Sequence, residues 1–394
     1  MVQYRMAQDG AHAFGGLSMS AVLPFDAAAL PAAADGVIHL VGPVTDVVFS
    51  FLGPTTAALA EQGMHQTVIL VDEPAHRHLL PLFHPAVRLV LTPGGRGPVN
   101  RMMLAWSALR TAVDDQPSAV VHLHGLIPSM AGVMAVRLGG IAAPLYFSPH
   151  GSRGLGPLKL MGTPLLWALR PLAAGRQRSI ASASTDAALL RSFSGGQVKV
   201  VESAVDERFF DVARHEARQP LLVTSSRTRH AGNAAALFAQ LAVLLSEESL
   251  QLGCNWLGTT DSESAARLSA AGVGIYDAAT PQDRATRLAS GWVYVAFDGA
   301  LGFPVFLAEA MAAGLPCVAW DTPYHRDVIR HGVTGLLCRS REQLLAYVAE
   351  LIDSADLRRQ LGEAARQEAR QRFDAHALRR SMMAAYGTST NGVD

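Results

Sequence analysis

A single carboxylate stands on an otherwise apolar helix-forming run within the stretch 297–337, FDGALGFPVFLAEAMAAGLPCVAWDTPYHRDVIRHGVTGLL. Gly302-Phe303-Pro304 opens the run, and Glu309 sits among Val305, Phe306, Leu307, Ala310 and Met311, the expected buried stripe. A glycine-led helix start leaves backbone N–H groups and the positive end of the helix dipole aimed at an anion. The lone acid requires a partner. Arg227, Arg229 and His230 follow the apolar run 220–226, where guanidinium forks could hold a diphosphate and offset charge growing on a leaving group; the bland alternative is a solvated loop. Pro149-His150-Gly151 ends another apolar run. A histidine there could bond a sugar hydroxyl or a phosphate, or simply be satisfied by a turn carbonyl. His122 and His124 share one face of a strand. They could ligate a metal, but no third ligand of recognisable spacing accompanies them, so no metal site is expected, and His122 reads as scaffold.

These groups need a frame that brings strand ends together. Short apolar runs at 37–42, 67–72, 86–91, 119–125 and 143–151 alternate with helical stretches at 55–62, 100–113 and 129–138. The pattern repeats with 220–226, 252–258, 273–277, 291–297 and 317–320, the last preceded by a helix that ends at Ala313-Gly314. Such alternation predicts an α/β chain with two doubly wound parallel sheets, each collecting ligands at the carboxyl ends of its strands. The expected division is a partly ordered leader (1–36), a first Rossmann-like domain (37–208), a second (209–372), and a C-terminal helix (373–394) that crosses back to the first.

Composition narrows the function. The 394 residues include 33 basic and 33 acidic side chains, so the formal charge is zero, and 49% of the residues are apolar against 17% charged. An ordered globular chain follows, with no general affinity for nucleic acid. Three cysteines without CxxC spacing point to neither a disulfide framework nor structural zinc. No apolar run is long enough to span a bilayer, and the N-terminal stretch is not a convincing signal peptide. A cytoplasmic protein is expected. Residues 153–178 carry five basic and no acidic groups amid apolar ones, so peripheral contact with the inner face of an anionic membrane is expected there.

The block GFPVFLAEAMAAGLPCVAWD followed by HGVTGLL resembles the donor-site segment of GT-B glycosyltransferases of the family-4 type, and the looser likeness covers residues 37 to 385. The resemblance implies two Rossmann-like domains facing an interdomain cleft and a retaining, metal-independent transfer, with a UDP-, GDP- or ADP-linked sugar as co-substrate and no cofactor. A glycan or lipid-linked acceptor is implied, in cell-surface polysaccharide or glycolipid synthesis. By the same likeness, Glu309 matches the acid that bonds the donor ribose. Gly302, Phe303 and Pro304 form the turn at the phosphate and sugar, and His150-Gly151 line the sugar pocket. The family's first acid falls on Leu301, so its contact is missing or comes from Asp298. Ser226-Arg227 match the family's Gly-Arg pair. The following lysine falls on Gly232 or Asn233, leaving Arg229 or His230 to stand in. Residues 43–54 lack the family's glycine pair, and Thr45, Asp46 and His124 are the acceptor-side candidates. The two lost donor contacts keep open a catalytically degenerate partner subunit, and a GT-B sugar-nucleotide epimerase is the other alternative.

Overall fold

The computed structural model describes residues 4–6, 35–44, 46–94, 97–125, 143–150, 177–194, 197–226, 232–247, 252–278, 280–297 and 302–386. The expected helix at 129–138 and nearly all of the basic stretch 153–178 lie outside these residues; only Gln177 and Arg178 of that stretch fall inside, where they begin a strand. Two compact units emerge. The first comprises Met1–Ser182, Asp186–Val201 and Arg379–Asp394; the second comprises Ala183–Thr185 and Glu202–Leu378.

Valine-, isoleucine- and leucine-rich runs buried on both faces favour parallel strands, and both units are built that way. In the first unit the strands are β1 (Tyr4–Met6), β2 (Gly36–Pro43), β3 (His65–Asp72), β4 (Val87–Pro93), β5 (Val120–His124), β6 (Leu145–Ser148), β7 (Gln177–Ala181) and β8 (Val198–Val200). Among the described residues they form one parallel sheet in the order β1-β4-β3-β2-β5-β6-β7-β8. The strand order therefore reverses between β2 and β5, where a doubly wound sheet opens a crevice at its carboxyl edge. Helix α1 (Asp46–Ala60) covers one face and α2 (Pro98–Asp115) the other, while α3 (Ser184–Ser194) follows β7.

Two expectations change here. The helix expected at 55–62 starts earlier, because α1 already begins at Asp46 and carries Pro54 within it. Phe51 and Leu52 are buried, and that apolar face outweighs the local cost of the proline. Within the leader, Tyr4–Met6 adds an edge strand beside β4.

In the second unit, α4 (Glu207–Asp211) precedes β9 (Leu221–Ser225), α5 (Gly232–Glu247), β10 (Gly253–Leu257), α6 (Ser262–Ala270), β11 (Gly274–Tyr276), α7 (Pro281–Ala289) and β12 (Val293–Ala296). Then come α8 (Val305–Ala312), β13 (Cys317–Trp320), α9 (Pro323–Val328), β14 (Leu336–Cys338), α10 (Arg341–Asp353) and α11 (Ala355–Arg372). The described strands run parallel in the order β11-β10-β9-β12-β13-β14, with the reversal between β9 and β12. One face packs Leu307 and Met311 of α8 with Phe209, Phe210, Leu288 and Phe373; the other packs Phe238, Leu245, Trp256 and Val348. Gly314 ends α8 at φ 78°, the left-handed cap expected from Ala313-Gly314. The buried stripe of α8 is broader than expected toward its carboxyl end: residues Leu307 through Ala312 are all buried, and Val305 and Phe306 only half so. A last helix, α12 (Ala375–Tyr386), ends in the first unit, where Met382 and Tyr386 are buried. No helix of the described residues is long and apolar enough to cross a membrane.

Candidate active site

Each sheet places polar groups at its point of reversal. In the second unit Thr224 Oγ1 donates to the Val295 carbonyl at 2.7 Å, tying β9 to β12. The hydroxyls of Ser225 and Ser226, at the end of β9, are buried and meet no partner among the described residues. Gly258, just beyond β10, sits at φ 128° with a position for Cβ only 1.8 Å from the Ser226 carbonyl oxygen. Any side chain there would displace the end of β9, so glycine is required. Arg227, Arg229, His230, Asp298 and Leu301 lie outside the described residues.

Gly302, at φ 154°, and Pro304 are buried at the entrance of α8. No side chain caps the helix; the Val305 N–H donates to the Phe303 carbonyl at 2.9 Å, which leaves the N–H groups of Phe306 and Leu307 for an anion. Phe303 packs edge-on against Phe373, with centroids 5.2 Å apart. Glu309 has its partner in Arg284 of α7, which donates from Nε and an Nη to the two carboxylate oxygens, each at 2.7 Å. The pair is buried, with side chains 4% and 7% exposed, so it behaves as an interior ion pair. A third Arg284 nitrogen donates to the carbonyl of Ala278, a non-glycine residue at φ 44°. Burial disfavours the Arg284 charge, and the carboxylate more than offsets it, raising its pKa. Each Glu309 oxygen retains a lone pair, so an added hydroxyl contact is compatible with the pair. Sequence reading missed Arg284. The available signal was an arginine in helical register with Leu288, a core position.

In the first unit His39 (β2), His122 and His124 (β5) share the α1 face of the sheet, because β2 pairs with β5 in register at His39 and His122. All three are at most 1% exposed. His39 is the third histidine that sequence spacing could not supply, and ligand-capable nitrogens of the three lie within 4.8 Å of one another. Those nitrogens are largely committed. His39 Nδ1 and His124 Nε2 are 3.0 Å apart, and His124 Nδ1 and His150 Nε2 are 2.8 Å apart. His122 meets the Tyr386 hydroxyl at 2.7 Å and Ser148 Oγ at 2.9 Å. An ion would have to displace these bonds.

The His122 tautomer follows from its neighbours. Ser148 Oγ donates its proton to the Ile180 carbonyl at 2.8 Å, so His122 Nε2–H must donate to Ser148, and Nδ1 accepts from Tyr386. Burial, then the nearby tyrosine Tyr146, pushes the Tyr386 pKa well above its ordinary value, keeping that hydroxyl a donor. Burial holds His39 down to about 3 and His150 to about 4, and holds His122 and His124 well below the ordinary range, with the neighbouring histidines adding to it. At neutral pH the cluster is uncharged.

His150 is half-buried beyond β6, at φ 54°, a left-handed conformation that costs a non-glycine residue roughly 1–2 kcal/mol. Its ring stacks on His124 at 5.0 Å and meets the edge of Phe51 at 5.3 Å. His124, a candidate for acceptor contact, is instead buried with both ring nitrogens engaged, and reaches outward through His150. Thr45 and Gly151 lie outside the described residues; Asp46 begins α1.

Residues 51–202 match the family described as glycosyl transferase 4-like domain, and residues 282–368 match glycosyl transferases group 1. The chain belongs to the GT-B glycosyltransferases of the family-4 type. As a glycosyltransferase of this family it uses a nucleotide sugar, and its two parallel sheets are the Rossmann-like domains of that architecture. No curated protein matches it by sequence. Solved GT-B structures share the fold. Sucrose-phosphate synthase from Thermosynechococcus elongatus is 16% identical, with TM-score 0.71 over 89% of this chain and 98% of its own. HepE of Anabaena, in complex with UDP and glucose, is 16% identical, with TM-score 0.70 over 89% and 99%. A Listeria monocytogenes protein described as a UDP-N-acetylglucosamine 2-epimerase is 13% identical, with TM-score 0.61 over 92% and 100%.

Proposed function

We propose that this GT-B protein moves a sugar, with retention of anomeric configuration and without a metal, from a nucleoside diphosphate to a glycan or lipid-linked acceptor. Synthesis of a cell-surface polysaccharide or glycolipid fits that acceptor class, at the inner face of the membrane with residues 153–178 in contact with it. The observation that carries the reading is the second unit's reversal point: two buried serine hydroxyls at the end of β9 lack partners among the described residues, in the same sheet crevice that α8 opens onto with an uncapped first turn. A diphosphate supplies acceptor oxygens for such donors. The HepE structures with UDP and with UDP-glucose support uridine as the first base to try.

In this reading Arg227, helped by Arg229 or His230, offsets the charge on the departing diphosphate; Gly302, Phe303 and Pro304 shape the turn around it. Glu309 meets the ribose, Asp298 a donor-sugar hydroxyl, and His150 with Gly151 the transferred sugar. No protein nucleophile is required. Positioning and electrostatic stabilisation carry the rate. UDP-, GDP- and ADP-sugars should separate in a thermal-shift screen. The correct donor at about 100 times its Kd adds about 2.7 kcal/mol, a rise of roughly 5–10 °C for a unit of this size. A screen with no shift for any donor favours the degenerate-partner alternative.

Arg227→Ala should lower turnover by at least ~10²-fold, the effect of losing one preorganised donor. Unchanged turnover rejects its assigned role. Because the fold likeness extends to the Listeria protein, the epimerase alternative is settled by acceptor dependence: consumption of donor with no acceptor present favours it.

A further inference from the structure

Two parallel hydrogen bonds fix an orientation as well as a distance. Arg284 Nε donates to Glu309 Oε2 and Nη2 to Oε1, each at 2.7 Å. Those two nitrogens lie on one edge of a flat guanidinium, so they reach both oxygens of one carboxylate only by meeting it end-on in its own plane. Each oxygen carries two in-plane lone pairs. The fork takes the inner lone pair of each, the one that points forward alongside its twin. One outer lone pair per oxygen remains, and the two outer pairs point away from each other.

The guanidinium is not free to give up these positions. Its third nitrogen, Nη1, donates to the Ala278 carbonyl at 3.2 Å, and Ala278 is itself buried and held at φ 44°. The rings of Phe209 and Phe306 flank the fork, with centroids 5.4 and 5.7 Å away. The arginine side chain is only 4% exposed, so water does not compete for it. All of these groups belong to the second unit, and the arrangement is complete within it.

A ligand with neighbouring hydroxyls meets the consequence. The 2′- and 3′-hydroxyls of a ribose sit side by side on one face of the ring. An unpaired carboxylate chelates such a diol through its two inner lone pairs, one hydroxyl on each oxygen. With the inner pairs taken, the diol cannot span the two diverging outer ones, and a single hydroxyl bonds. We propose that Arg284 is a positioning residue that confines Glu309 to one ribose hydroxyl of the nucleotide, an inference that rests on the ribose contact proposed above for Glu309. The acid then reads one position of the sugar ring, and the other hydroxyl is left to different groups or to water.

The test is calorimetric binding to the full chain with UDP, 2′-deoxy-UDP and 3′-deoxy-UDP as probes, or the guanosine or adenosine set if the thermal-shift screen selects that base. Each deoxy analogue is compared with its parent in the unsubstituted protein and in the double variant Arg284→Met with Glu309→Leu, where the acid is gone and no buried charge is stranded. Loss of one of the two hydroxyls should weaken binding to the unsubstituted protein by about 10–100-fold, the size expected for a hydrogen bond to a charged group. That penalty should vanish in the double variant, while the penalty for the other hydroxyl stays the same in both proteins. If both penalties shrink in the double variant, the diol is chelated; the single-hydroxyl contact is then overturned and the ribose role of Glu309 stands. If neither penalty changes, or no nucleotide binds the unsubstituted protein, the ribose role itself is rejected, so the two failures are separable.

Arg284→Lys tests the arginine's own part. Lysine keeps the charge but presents a point in place of a fork, which frees an inner lone pair of Glu309. The penalty for the second hydroxyl should then rise several-fold as the diol begins to chelate. Where the lysine variant does not fold, Arg284→Gln, which offers the acid one amide donor, replaces it. An arginine with a merely structural role would lower the melting point of either variant without changing which hydroxyls are read, so unchanged penalties in a folded variant overturn the positioning role.

Discussion

Stability of the first unit is expected to fall steeply below pH ~6.5, at about 4 kcal/mol per pH unit. Burial depresses the folded-state pKa of His39 to about 3 and holds those of His122 and His124 well below the ordinary value. Above pH ~6.5 these rings are neutral in both states, and the cluster adds no pH dependence. Below it the unfolded chain binds protons that the folded chain refuses, so stability drops as pH falls toward the folded values. Each such group contributes about 1.4 kcal/mol per pH unit across that window; the half-buried His150 is left out of the sum. A domain has roughly 5–15 kcal/mol of stability in all, so about two or three pH units are enough to open it.

The groups facing the cluster do little to soften this. The Tyr386 hydroxyl, its pKa raised by burial, stays protonated, Ser148 carries no charge, and Arg178 donates to the Tyr146 hydroxyl at 2.9 Å. Hydrogen exchange of the β5 amides from pH 7.5 to 4.5 measures the effect, with β12 of the second unit as internal reference. The slope should correspond to about three protons and should lose one of them in His39→Leu. Exchange in β5 that stays flat to pH 5 would falsify the neutral-cluster assignment.

Removing one partner of the Arg284–Glu309 pair should destabilise the second unit by about 3–5 kcal/mol, because it leaves a buried charge uncompensated. Glu309→Gln strands a guanidinium between the Phe209 and Phe306 rings, whose centroids lie 5.4 and 5.7 Å from it. Arg284→Met strands the carboxylate. The double replacement Arg284→Met with Glu309→Leu should recover most of the loss, since a well-packed apolar pair is often neutral or better than a buried ion pair. Urea unfolding followed at the β12 amides supplies the cycle. Single variants that each lose under 1 kcal/mol contradict the ion pair as described. The recovered double variant also tests function. It is expected to fold yet lose affinity for donor, and full donor affinity in it would reject ribose contact by Glu309.

The double-wound frame was legible because apolar runs of strand length leave few other solutions, and the predicted strands from 37–42 onward coincide with β2–β6 and β9–β13 to within a few residues. The turn that opens α8 was legible for a local reason: Gly302, Glu309 and Gly314 lie within one helix and its two ends. What escaped depends on chain-distant neighbours. His39 and His124 are 85 positions apart and touch only because the sheet reverses between β2 and β5. Arg284 reaches Glu309 across 25 positions, and an arginine on an amphipathic helix ordinarily reads as solvated. Helix α1 escaped because Pro54 and Gly53 mimic a loop, while Phe51 and Leu52 buried beneath it decide the matter.

Tyr386 closes the histidine-lined face of the first unit, yet it follows the whole of the second unit in sequence. On a ribosome, the strands of that unit emerge as far as Val201 and then wait for roughly 180 more residues, about 10–40 s at ordinary elongation rates, before the ring that seats on His122 exists. During that interval a polar pocket meant for the interior stays wet. Completion of the first unit is thus postponed until the whole of the second has been made, and a deletion that removes α12 would be felt most by strands made long before it.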